Sequence, residues 1–184
     1  WIYDKAYDWQ PYPIILIDFG LQTVKTAAEA KRAITATLER IAQENGLRLE
    51  GFDYQSLFAN LTRQLAAAHA GKVVLLIDEY DKPIVENLDN IPEAQQIRDV
   101  LRGFYGVVKA LDPYWRFVLI TGISRFSRVG VFSAMNNLDD LTMSIRAANL
   151  LGITEQELRY YFKAYIEEFA AQEQLDPEVL LTQI

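Results

Sequence analysis

The 184-residue chain contains no cysteine, which excludes disulfides, thiolate metal centres and a cysteine nucleophile. It has one histidine, His69, so neither a histidine-rich metal site nor a Ser-His-Asp triad is expected. No apolar run approaches the roughly 18 to 20 residues of a membrane-spanning helix, and no secretory signal pattern is visible; no membrane association is expected. Basic residues are outnumbered, 18 Lys and Arg against 25 Asp and Glu, for a net charge of −7. No global positive field therefore recruits nucleic acid or anionic lipid. These absences fit a cytoplasmic protein. What is present is ordinary for a globular chain: 51% hydrophobic and 23% charged residues, with enough length for one real core and a small appendage.

Apolar patterning lays out the elements. "YPIILIDFG" (12–20) reads as a buried strand ended by Asp18 and Gly20. A helix comes next, with a Thr26–Glu29 capping box, a stripe of Ala30, Ile34, Leu38 and Ile41, and Gly46 as its stop. A second helix puts Leu57, Leu61, Leu65 and Ala68 on one face, carries His69 in its last turn as a surface residue, and ends at Gly71. "KVVLLI" lacks polar alternation, which predicts a central strand covered on both faces. A helix from Pro92 carries Ile97, Leu101, Phe104, Val108 and Leu111, with Gly103 and Gly106 assigned to close packing, and "WRFVLITG" is the next strand. The order strand, helix, helix, strand, helix, strand predicts an α/β parallel sheet with right-handed crossovers. Beyond residue 124 the chain reads as loop and then helices. One spans "ITEQELRYYFKAYIEEFAAQ" with a Thr154–Glu157 capping box and a stripe of Leu158, Phe162, Tyr165 and Phe169. Another starts at Asp176-Pro177.

Ligands of parallel α/β sheets bind at the carboxyl ends of the strands. Three such ends are Asp18-Phe19-Gly20, Asp78-Glu79-Tyr80-Asp81 and Thr121-Gly122-Ile123-Ser124-Arg125. Neighbouring strands would bring acids, hydroxyls and a guanidinium to one edge, a set suited to a magnesium-bound phosphate. An Asp there can hold Mg²⁺, a Glu can orient or deprotonate water, and Arg can offset charge in phosphoryl transfer. By itself "LLIDEYD" is a weak signal, because acids also end strands and cap the following helix.

Longer stretches are more specific. "LLIDEYDKPI", "FYGVVKALDPYWRFVLITGISRFSRVGVFSAMNNLDDLT" and "LLGITEQELRYYF" resemble, in that order, the predicted AAA-ATPase-like family of bacterial and archaeal P-loop NTPases, often fused to a restriction-endonuclease-like nuclease domain. The likeness runs from about Tyr12 to Phe169. It implies an incomplete parallel-sheet P-loop NTPase core over residues 1–145 and a helical lid-like region over 146–184. It makes Asp78 the Walker B magnesium aspartate, Glu79 the catalytic glutamate and Thr121 the sensor. Ser124 and Arg125 fall in the family's T-G-x-S-x-F turn; Ser124 is carried as a nucleotide contact and Arg125 as a phosphate sensor or finger, with a structural salt bridge as the competing reading. Asp81 is taken as a loop or cap residue. The implied cofactors are ATP and Mg²⁺, and the implied partners are ATP and a protein partner or nuclease domain in the same chain.

The resemblance lacks one part. No G-x-x-x-x-G-K-[ST] occurs anywhere in the sequence, so the amides and lysine that cradle β- and γ-phosphates are missing. The chain opens in mid-pattern at "WIYDKAYDWQPYP", and the expectation is a fragment whose Walker A segment precedes residue 1 and which is inactive alone. A non-hydrolysing regulatory or interaction module that keeps the ATPase fold is the rival reading. Other candidates are weaker. Asn136, Asn137, Asp139 and Asp140 lack EF-hand spacing and read as a turn and cap. Arg116, Arg125 and Arg128 read as ordinary surface pairing, and the Trp1, Tyr3, Tyr7, Trp9 and Tyr12 cluster as packing.

Overall fold

Three runs rich in Ile, Val and Leu become parallel strands, because side chains alternating across an extended backbone can bury one full face against helices. They are β1 (Ile14–Asp18), β2 (Val73–Asp78) and β3 (Trp115–Ile120), in the spatial order β1-β2-β3. The computed structural model describes residues 6, 9–69, 71–123, 135, 138–150 and 152–182. Its chain divides into two compact units, Trp1–Asn137 and Leu138–Ile184.

In the first unit, helices α1 (Ala27–Glu44), α2 (Tyr54–Ala68), α3 (Lys82–Val85) and α4 (Ile91–Ala110) connect the strands. Helices α1, α2 and α4 pack on one another. The strand face that meets them is Ile15 and Ile17 of β1, Val73, Leu75 and Ile77 of β2, and Trp115 of β3, all buried. Aromatic rings tie the helices to the last strand. Phe58 of α2 stands 4.6 Å from Phe104 of α4 and 5.9 Å from Trp115, ring centre to ring centre. The Trp115 indole N–H donates to Val108 O at 2.8 Å, so its polar edge is satisfied inside the core.

Among the described residues, the expectation of a central strand covered on both faces is met on one face and only half met on the other. Val74 and Leu76 are half-buried, and their cross-strand neighbours Ile14, Leu16, Phe117 and Leu119 are exposed. The apolar run of β2 is there because both faces are apolar; only one is packed by described helices.

Helix ends obey local chemistry. Thr26 accepts from Glu29 N, but the Glu29 carboxylate turns back to Lys25 N at 2.7 Å, so the expected capping box is only half formed. Glu93, in the first turn of α4, accepts Ala27 N at 2.7 Å and satisfies an open donor of α1. Asp53 and Ser56 make a full capping box at α2, one not expected from the sequence. The buried face of α2 is partly turned from expectation: Leu61 and Leu65 are buried as expected, but Phe58 and Thr62 join them in place of Leu57 and Ala68, and His69 is exposed as expected. Gly103 is held by close packing, since a Cβ there would stand 3.0 Å from the Tyr54 hydroxyl, but Gly106 has open space around it and that part of the packing assignment fails.

The second unit holds α5 (Glu155–Tyr161), α6 (Lys163–Glu173) and α7 (Pro177–Leu181). The single helix expected over this stretch breaks at Phe162, where the backbone leaves helical angles (φ −109, ψ 12). Ile166 and Ala170, not Phe162, Tyr165 and Phe169, form the small core with Leu180. The Thr154–Glu157 capping box is present in full. No described helix is long and apolar enough to cross a membrane.

The Asp53 cap gives a direct test. The Ser56 backbone N–H, bonded at 2.7 Å, is the main cause holding the Asp53 carboxyl below its ordinary value. Asp53→Ala should cost about 0.5–2 kcal/mol in urea unfolding near neutral pH. Because the folded state favours the ionised form, that contribution is complete above the ordinary carboxylate range and is lost as pH falls through the lowered value. The difference between the two proteins should therefore shrink below about pH 4.

Candidate functional site

Parallel pairing in register delivers the strand ends together. Asp18 lies opposite Asp78 across the β1–β2 ladder, and Ile77 opposite Ile120 across β2–β3. The ladder continues past the strands: Phe19 N donates to Asp78 O at 3.1 Å, Thr121 N to Ile77 O at 2.9 Å, and Tyr80 N to Thr121 O at 3.0 Å. Asp18, Asp78 and Thr121 thus leave the sheet at one edge, the carboxyl edge where such sheets bind ligands.

Asp78 is the centre of the edge. Its Oδ1 accepts the Thr121 hydroxyl and, at 2.9 Å, the Glu79 backbone N–H. These two donors come from different strand ends, so the carboxylate direction is fixed while the side chain stays exposed. Glu79 then takes a left-handed backbone (φ 50), a conformation that costs a residue with a Cβ about 1–2 kcal/mol. The result is a sharp reversal. Glu79 stands out in solvent, and the next two residues, Tyr80 and Asp81, turn back into the core.

Asp81 differs from expectation. It occupies the position before α3 but its side chain makes no capping bond there, and it is fully buried. Against it lies Gly122. A Cβ on Gly122 would stand 2.5 Å from Asp81 Oδ1 and 2.6 Å from the Tyr80 ring, so the bare backbone lets the β3 turn close on the β2 turn. Below them Tyr105 is buried, and burial, followed by the nearby Tyr80 and Asp81, pushes its phenol well above the ordinary range.

The β1 turn closes the other side. Gly20 N donates to Asp18 Oδ1 at 2.7 Å, and Gly20 O accepts from the Lys82 ammonium. Lys82 also stands 3.8 Å from Glu79 Oε2 and 3.9 Å from Glu86 Oε1. Gly20 is one of the strand-end residues read from sequence; Lys82 is not, though the spacing Glu79-x-x-Lys82-x-x-x-Glu86 is the signal that points to it.

The structure brings Asp78, Glu79 and Thr121 together. Ser124, Arg125 and Arg128 lie outside the described residues, as do Trp1, Tyr3, Tyr7, Asn136 and Asn137. Asp140 accepts Thr142 N at 3.0 Å, the turn chemistry expected of that segment, while Asp139 makes an exposed ion pair with Arg146 at 3.2 Å. The Arg116 guanidinium lies 5.6 Å from the centre of the Tyr12 ring. Among the described residues, no group of three or more His, Asp or Glu is placed to hold a metal unaided. Mg²⁺ needs no such cage: one or two carboxylates with phosphate oxygens and water complete its shell. An exposed, oriented Asp78 fits that role, whereas the sequence supplies no glycine-rich loop for the phosphates themselves.

Gly122→Ala tests how tightly the two turns are closed. The added methyl should displace Asp81 or Tyr80 and lower stability by about 1–3 kcal/mol, read as a lower urea midpoint at unchanged slope.

The profile of the family described as "Predicted AAA-ATPase" matches residues 1–132. A relative from Azotobacter chroococcum mcd 1, named "Uncharacterized protein in vnfD 5'region", is 37% identical over 162 residues, 88% of this chain and 31% of the relative. The chain thus spans about a third of that relative's length. No solved structure matches it. With the profile covering most of its length and the paired acids at the end of a parallel strand, the chain belongs to the predicted AAA-ATPase family.

Proposed function

We propose that this chain carries the Walker B and sensor part of an AAA-type P-loop ATPase that couples Mg-dependent ATP hydrolysis to a conformational switch. The observation that carries the reading is the joint placement of Asp78, Glu79 and Thr121 at the carboxyl ends of two paired parallel strands, with the Thr121 hydroxyl bonded to Asp78. Family membership supports the same assignment.

In this reading Asp78 is the magnesium ligand, and its two donors keep the carboxylate aimed while it stays solvent-accessible. Bound Mg²⁺ supplies charge neutralisation at the phosphates. Glu79, exposed at the tip of its turn, orients a water molecule and accepts its proton. Thr121 links the end of β3 to Asp78, so a change at either strand end is transmitted to the other. Ser124 contacts the nucleotide and Arg125 offsets charge as the phosphoryl group is transferred. The region 146–184 serves as the lid. The phosphate cradle is not in this sequence; the rival reading is an interaction module that keeps the fold without turnover.

Two measurements separate these. In the full-length protein, Glu79→Gln should lower the steady-state rate of ATP hydrolysis by about 10²–10⁴-fold, the usual worth of a positioned general base. An unchanged rate in a pure, active preparation removes the catalytic assignment of Glu79, whereas a wild-type preparation with no turnover favours the interaction module. For residues 1–184 alone, titration calorimetry with Mg-ATP should show no micromolar binding; a micromolar dissociation constant would show that the chain holds phosphates by some other means.

A further inference from the structure

We propose that Lys82 is a positioning residue that sets the direction of the Glu79 carboxylate; its catalytic consequence rests on the ATPase reading above. Lys82 is not an ordinary surface lysine. Its side chain is 27% exposed, and its ammonium lies among acceptors from three places: the Gly20 carbonyl of the β1 turn, Glu79 after β2, and Glu86 after α3. The neutral carbonyl anchors the ammonium by a hydrogen bond, and the two carboxylates balance its charge.

Glu79 is the group that needs such a partner. Its side chain is 50% exposed and sits at the tip of a left-handed turn, so backbone conformation alone leaves its three side-chain torsions open. Among the described residues Gly20 of the β1 turn and Lys82 of α3 stand beside it. A Cβ on Gly20 would stand 3.1 Å from Glu79 Oε2, so the glycine lets the carboxylate approach the β1 turn closely, and Lys82 stands 3.8 Å from the same oxygen. That separation exceeds a direct hydrogen bond. The ammonium therefore steers the carboxylate electrostatically without occupying the lone pairs that a water molecule would use. An isolated exposed pair at this distance would do little; here the ammonium is fixed independently by Gly20.

The test has two readouts. In full-length protein, Lys82→Met should lower kcat for Mg-ATP hydrolysis by about ten- to a hundred-fold with KM within about two-fold, the signature of a misplaced catalytic group. Lys82→Arg, which keeps the charge and a donor for Gly20, should recover most of the loss. In a Glu79→Gln background, Lys82→Met should cost nothing further, because the two act as one unit. An unchanged kcat in Lys82→Met, or the same loss repeated on top of Glu79→Gln, overturns the proposal. Independently of turnover, backbone amide spectra of the 184-residue chain should shift at Gly20 and Glu79 in Lys82→Met and return towards wild type in Lys82→Arg. Unmoved Gly20 and Glu79 signals overturn the proposal whatever the kinetics. If these signals shift as expected but the full-length wild-type protein hydrolyses no ATP, the ATPase reading is removed and the contact stands. If Lys82→Met does not fold, Lys82→Gln carries the same comparisons.

Discussion

The parallel ladder is the constraint on which the rest depends. Parallel strands cannot be joined by tight turns, so each connection must run back over the sheet before the next strand begins. That sends all three carboxyl ends to the same edge and all the returning helices onto a face. The pairing of Asp18 with Asp78, and of Ile77 with Ile120, then fixes which residues emerge side by side. Slipping β2 by one residue would bury Asp78 and expose Ile77, because alternate side chains take opposite faces. The buried Ile15, Ile17, Leu75 and Ile77 hold the acids where they are.

At that edge the backbone makes one costly choice, the left-handed Glu79. The compensation comes from its neighbours. Tyr80 and Asp81 return to the core, Tyr80 N extends the ladder to Thr121 O, and Gly122 closes on both without a side chain to obstruct it. Ile84 N and Val85 N then donate to Asp81 O and start α3, which brings Lys82 round to the Gly20 carbonyl. The strain at Glu79 is thus held by a chain of ordinary contacts in both neighbouring turns, which is how an unfavourable dihedral persists at a candidate site.

Much of this was legible in the sequence. The alternation of strands and helices, Gly46 and Gly71 as stops, and the buried series Ile97, Leu101, Phe104, Val108 and Leu111 are local signals, and local signals survive folding. Convergence of Asp78 with Thr121 was also legible, because strand order in a βαβ array is strongly constrained. What was not legible depends on partners distant in sequence. The break at Phe162 carries no proline or glycine, so nothing in composition marks it. Asp81 reads as a solvent-facing loop acid until Gly122 and Tyr80 are seen to enclose it. Lys82 has a readable spacing to Glu79 and Glu86, but its anchor is Gly20, 62 positions away.

The second face of the sheet is governed by the same geometry. Parallel sheets are characteristically covered on both sides, and the sequence of β2 is apolar at every position before Asp78. Among the described residues α1, α2 and α4 satisfy one side, while Ile14, Leu16, Phe117 and Leu119 present side chains to solvent on the other. A strand made to be wet on one face would alternate apolar with polar residues; β1 and β2 do not. The sequence of these strands is therefore written for a sheet enclosed from both sides.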